Sequence, residues 1–166
     1  MKFSIGDLII YGETGVCRVV AIEERPFLDK VTNCYKLQPI YQSCVIYTPA
    51  DNSNVYMRPI LSAAEAEKLV AEFNEVNPVE LPQGAPRMVS EAYDKIIKSH
   101  DCCELAGLIL AIYRKRRTLI ENKKKLSAID ERYVKKSEDL LFGELAVALN
   151  LERSQIAEIV IEKICC

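Results

Sequence analysis

The chain has 166 residues, 49% of them apolar, and a formal net charge of −2. That apolar content suffices for a core in one compact domain or two small ones and excludes a disordered chain. No apolar run approaches the roughly 20 residues that a membrane span requires. The opening Met-Lys-Phe-Ser-Ile-Gly-Asp lacks the basic flank and apolar stretch of a signal peptide, so a cytoplasmic protein without a membrane partner is expected.

Cysteines stand at 17, 34, 44, 102, 103, 165 and 166, with no Cys-x-x-Cys among them and one histidine, His100, in the whole chain. An odd count without metal-ligand spacing predicts reduced, mostly buried thiols and no metal or other cofactor. The small net charge conceals an asymmetry. Residues 1–86 carry 7 Lys/Arg against 11 Asp/Glu, residues 87–137 carry 13 against 7, and residues 138–166 carry 2 against 6. An acidic front, a basic middle and an acidic tail point to surfaces that meet different partners.

Strands come first. Asp7–Tyr11 is an apolar run, and Gly12-Glu-Thr-Gly15 after it is a turn with glycines available for positive φ. Val16–Glu24 alternates, with Val16, Arg18, Val20 and Ile22 on one side and Cys17, Val19 and Ala21 on the other. Arg25-Pro26 is expected to stop this strand, because proline cannot donate to the ladder. Cys34–Pro39, Cys44–Thr48 and Val55–Arg58 follow at short spacing, the last two separated by the turn-rich Pro49-Ala-Asp-Asn-Ser. Five short strands over residues 1–60 predict a strongly bent sheet or small barrel.

After Pro59 the period changes. Ser62 and Glu65 form a capping-box pattern, and Ala66, Leu69, Val70 and Phe73 give one apolar stripe that ends near Asn77-Pro78. The stretch 77–86, with three prolines and a glycine, is the expected linker, so residues 61–86 are assigned as connecting helix plus linker. Helical spacing then predicts segments at about 88–98, 102–121, 127–149 and 152–164, as in Leu105, Leu108, Ile109, Ile112 and Tyr113. The fold class is therefore α+β: a small bent β-sheet or barrel, followed by an all-α helical bundle over 87–166.

Nothing in the pattern supplies catalysis. His100, between Ser99 and Asp101 at a helix junction, is expected to be a surface or capping residue. Gly12-Glu-Thr-Gly15 lacks the length and the Lys-Ser/Thr ending of a phosphate loop. An enzyme with a small-molecule substrate is not expected. The basic residues are more informative. Arg114, Lys115, Arg116 and Arg117 sit late in a helix and Lys123, Lys124 and Lys125 follow, seven cations within twelve positions. Cations suit a helix C-terminus, but this number exceeds what capping requires and points to phosphate contact. Glu144–Glu158 imitates a helix-turn-helix with a turn near Asn150-Leu151. Its second helix sets Arg153, Gln155 and Lys163 against Glu152, Glu158 and Glu162, which favours a packing helix over a recognition helix.

Several of these residues coincide with a known pattern. Phe3-x-Ile5-Gly6-Asp7-x-Ile9-Ile10-Tyr11, Gly15-Val16 and Val19-x-Ala21-Ile22-Glu23 resemble the start of the CarD/CdnL family of bacterial transcription regulators, whose first domain is shared with transcription-repair coupling factor. Thr48-Pro49 and Arg58-Pro-Ile-Leu61 fit the end of that module. Leu126-Ser127, Glu131-Arg132 and Leu141-x-Gly143-Glu144-Leu145-Ala146 resemble the family's helical domain.

The resemblance implies a Tudor-like first domain that docks on the β subunit of RNA polymerase, and a helical domain that contacts promoter DNA at the edge of the melted region. It assigns docking to Arg25, Val45, Ile46, Tyr47, Thr48 and Pro49, with strand addition at an exposed sheet edge as the physical mode. DNA contact falls to Arg87 and to the cations at 114–117 and 123–125. The chain departs from the family in two ways. Tyr47 stands where a second interface arginine is usual. There is no tryptophan for the minor-groove wedge, with Pro86 or Arg87 near its place and Glu91 and Glu131 where cations would help. A protein–protein adaptor that has lost DNA contact is the alternative function.

Overall fold

The computed structural model describes residues 2–165; Met1 and Cys166 lie outside the described residues. The chain divides into two compact units, residues 1–60 and 61–166.

The first unit is an antiparallel sheet of β1 (Leu8–Tyr11), β2 (Gly15–Phe27), β3 (Lys30–Pro39), β4 (Ile46–Pro49) and β5 (Met57–Pro59), in the order β4-β3-β2-β1-β5. Five strands over residues 1–60 agree with the sequence expectation, but β2 and β3 are long. Gly12 and Gly15, at φ +47° and +86°, bracket the one-turn 3-10 helix that joins β1 to β2. One face buries Phe3, Ile9, Cys17, Val19, Tyr35 and Leu37. The Tyr35 hydroxyl accepts the Lys2 and Phe3 amides at 2.9 and 3.0 Å, which fastens the N-terminal segment to this core. Burial holds the Cys17 thiol up at about 12, with Cys44 adding to the shift, so it is a protonated core group.

Two strand expectations need correction. Strict alternation from Val16 to Glu24 fails because the β2–β3 register shifts between Val19 and Ala21, leaving Val20 as a bulge. Cys17 and Val19 share one side as expected, and that side faces the core, but Ile22, not Ala21, continues their row. Nor does Arg25-Pro26 end β2: the strand runs to Phe27, with Arg25 opposite Thr32 and Pro26 opposite Val31. Alternate positions of an antiparallel pair turn their N–H away from the partner. The β1 ladder reaches only Arg18, so Pro26 sits beside an open edge and costs no ladder bond.

The second unit is helical: α1 (Ala63–Ala71), α2 (Pro86–Ser99), α3 (Cys102–Glu121), α4 (Ala128–Leu149) and α5 (Arg153–Cys165). Each start has a local cause. Ser62 and Glu65 complete the capping box at α1, Asp101 and Ser127 cap α3 and α4, and Pro86 opens α2. His100 is the left-handed C-cap of α2, the junction role foreseen for it. The core runs along α3 through Leu105, Leu108, Ile109 and Ile112, and along α4 through Leu141, Phe142, Leu145 and Ala146. Ile156 and Val160 bury one face of α5 in the same core, so α5 is a packing helix.

The stretch 77–86 does not hang free. The Val79 amide donates to the Gly107 carbonyl at 3.2 Å, which lays this segment on α3 inside the second unit. Glu144, buried in α4, has a structural role. Its carboxylate accepts the Leu61 amide at 2.9 Å and the Cys102 thiol at 3.4 Å. It thus joins the entry to α1, the first turn of α3 and the middle of α4.

Candidate docking edge and basic face

In the first unit β4 pairs only with β3, so its outer edge is unpaired within the sheet. In this strand Tyr47 is exposed and Thr48 and Pro49 are buried. The Thr48 hydroxyl is buried and accepts the Asn52 side-chain amide at 2.8 Å, so at Thr48 and Pro49 the backbone, not the side chain, is what an approaching strand could meet. Val45, just before β4, is exposed and Ile46 is half-buried against the core.

Arg25 and Tyr47, 22 positions apart in the chain, are brought together. The Arg25 guanidinium lies over the Tyr47 ring at 3.8 Å from its centroid, and Lys36 approaches the same ring at 5.9 Å. β3 lies between them, with Lys36 opposite Tyr47 and Thr32 opposite Arg25. Glu23 approaches both cations, at 3.7 Å from Arg25 and 3.9 Å from Lys36. A stacked guanidinium is held flat and keeps its outward edge free to fork onto a carboxylate. Lys36 and Glu23 were not foreseen in this group; their alternation with core positions was the only signal, and the Val20 bulge hid it.

In the second unit the nominated cations do not form one surface. Successive helical residues are turned by about 100°, so 114–117 spread around α3. Lys115 turns toward α4 and donates to the buried Asp130 at 2.6 Å. Arg116 pairs with Glu131 at 3.1 Å and lies over the Tyr113 ring. Arg87 pairs with Glu91 at 2.9 Å on the exposed face of α2. The two acids that stand where cations would help thus neutralise two of the nominated arginines. Arg114, Arg117 and Lys123–Lys125 are exposed and make no ion pair among the described residues.

The Asp130 cluster and the Tyr113–Glu138 pair hold strongly perturbed titratable groups among the described residues of this unit. Burial pushes the Asp130 carboxyl up, but Lys115, the Tyr93 hydroxyl at 2.6 Å and Ser127 outweigh burial and hold it below its usual value. Burial, and then the bond to Asp130, push the Tyr93 phenol up; burial and Glu138 do the same for Tyr113. These hydrogen bonds tie neighbouring helices to one another. Among the described residues no group of three or more His, Cys, Asp or Glu side chains could hold a metal ion, and no helix is long and apolar enough to cross a membrane.

The sheet, its open edge and the stacked arginine are the parts that comparison with known families addresses. The model of the CarD-like/TRCF RID domain family matches residues 3–61. The first unit belongs to that family. Its RID domain makes the chain an RNA-polymerase-interacting protein. The matched span coincides with the sheet unit, so Phe3 and Gly6-Asp7, on which the resemblance rested, acquire physical roles. Phe3 fills the sheet core, and the Asp7 carboxylate accepts the Ser4 amide at 2.8 Å to close the turn that contains Gly6. In this RID domain the edge strand β4 and the Arg25–Tyr47 pair lie on contiguous surface, since β4 and β2 both neighbour β3.

Proposed function

We propose that the protein is a non-catalytic bacterial transcription regulator whose first domain, residues 1–60, docks on the β subunit of RNA polymerase. Residues 61–86 connect it to a helical domain, 87–166, that acts at promoter DNA. The reading rests foremost on the unpaired β4 edge beside the stacked Arg25–Tyr47 pair. Backbone of Val45–Pro49 adds to a strand of the polymerase lobe, and Arg25 forks onto a carboxylate there. Charge reversal at the half-exposed Arg25 leaves the sheet core untouched. Arg25→Glu is therefore expected to weaken capture of the β lobe by about 30-fold, since it removes a charge-assisted pair and sets like charges together. Undiminished capture would remove the docking claim.

DNA contact falls to Arg114, Arg117 and Lys123–Lys125, not to all eight cations. Each phosphate contact steepens the salt dependence of binding by about 0.9 in log–log slope. The double variant Arg114→Glu/Arg117→Glu is expected to flatten that slope by about 2 and to weaken binding alike for all DNA sequences. The pairing of Arg87 with Glu91 and of Arg116 with Glu131 favours a second function, a protein–protein adaptor without DNA contact. Absence of any salt-dependent affinity of the parent chain for promoter DNA would establish it.

A further inference from the structure

α5 buries Ile156 and Val160, yet two apolar side chains near that stripe stay open to solvent: Ile161 on α5 is 46% exposed and Ile120 on α3 65%. They do not lie apart. Both line a groove of about 350 Å³ between the C-terminal halves of α3 and α5, with Tyr113 and Ile164 completing its apolar floor. The two rims of the groove carry opposite charge. On α3, Arg114 and Arg117 are exposed and line one side, which is net positive although Glu121 also stands on it. On α5, positions three and four apart share a face, so Glu158 and Glu162 form an exposed row alongside the row of Ile161 and Cys165. None of Arg114, Arg117, Glu158 and Glu162 has an ion-pair partner among the described residues. Such a surface is complementary to itself. A two-fold axis running along the groove exchanges its two sides, so the arginine rim of one copy meets the glutamate rim of the other while the isoleucine floors coincide.

We propose that this groove is the interface of a two-fold homodimer. Ile120 and Ile161 of two copies of the chain pack together, and Arg114 and Arg117 of each face Glu158 and Glu162 of the other. The occupant is a second copy because this chain supplies both the apolar recess and the row of acids that the arginines need. A formal net charge of −2 leaves little repulsion to oppose association. Two helix edges make a small contact, which sets the dimer Kd near about 10 μM. Arg114 and Arg117 are also the cations assigned above to DNA, so dimer and DNA complex exclude each other.

Sedimentation equilibrium of the full-length chain tests this with two charge-reversed variants, both altered only at exposed positions. Arg114→Glu/Arg117→Glu and Glu158→Lys/Glu162→Lys are each expected to raise the dimer Kd about 100-fold, since like charges then face each other at both rims. Mixing the two variants is expected to restore association to within about threefold of the parent, because the mixed dimer again sets opposite charges against each other. Ile161→Ser is expected to weaken the dimer about tenfold. Glu158→Lys/Glu162→Lys keeps both arginines, so its failure to dimerise is read apart from the proposed DNA contact. Variants that stay monomeric when mixed overturn the two-fold pairing. A parent that is monomeric at about 200 μM overturns the dimer outright; if Ile161→Ser then lowers affinity for RNA polymerase core enzyme, a segment of that complex occupies the groove instead.

Discussion

Gly107→Ala is expected to destabilise the helical unit by about 3 kcal/mol, read as a drop in the urea midpoint without a change in slope. The sign is what makes the substitution informative. In an exposed helix interior, alanine is better than glycine by about 1 kcal/mol, so helix propensity alone predicts stabilisation. The site reverses that prediction. A Cβ at position 107 would lie 2.5 Å from the Asn77 carbonyl oxygen and 3.3 Å from a Val79 methyl. The first of these is backbone, which cannot swing aside as the end of a long side chain can. Either the 77–80 segment lifts from α3, losing the bond from the Val79 amide, or α3 shifts within a core that includes Leu105, Leu108 and Ile109. Overpacking of this kind outweighs the gain in propensity. A stabilised Gly107→Ala protein would mean that the 77–86 stretch is a loose linker after all.

What could be foreseen from the residues follows the range of the interactions. The Ser62–Glu65 capping box, the Gly12–Gly15 turn and the starts of α2 to α5 depend on neighbours within four positions, and the structure agrees closely with them. The reach of β2 did not follow from local rules. Pro26 is a reliable strand terminator only where both edges are paired, and pairing is a property of β1's length, not of the proline. The hairpin tip was missed for a related reason: Leu28-Asp29 is not an Asn-Gly or Gly-x turn, so no familiar signal marks it.

The candidate site divides in the same way. Arg25 and Tyr47 were assigned to one docking set by resemblance, but their stacking across the intervening β3 is visible only in the structure. The basic run failed as a single face because the direction of Lys115 and Arg116 is decided by Asp130 and Glu131, fifteen positions away on another helix. A count of cations along a chain cannot see which of them the core has already claimed.

That claim on Lys115 carries the second large effect. Asp130→Ala is expected to cost about 3–4 kcal/mol, because it leaves the fully buried Tyr93 hydroxyl without its acceptor and Lys115 without its partner. Asp130→Asn keeps the shape and an acceptor for Tyr93, so it should cost less, about 2 kcal/mol, and chiefly the charge-assisted share. The pH dependence distinguishes charge from shape. The Asp130 carboxyl is held below its ordinary 3.8 in the folded protein, so the unfolded chain binds its proton more readily. Its stabilisation is therefore fully present above pH about 5 and is lost as the pH falls through 3.8 toward the lowered folded value. Asp130→Asn should flatten the fall in stability over that acidic window and leave the curve near neutrality parallel to the parent's. The same variant frees Lys115 from its tie to α4, so its affinity for DNA should not decline although its stability does. A loss of DNA affinity in Asp130→Asn, at a temperature where the variant remains folded, would return Lys115 and its partner to the nucleic-acid surface.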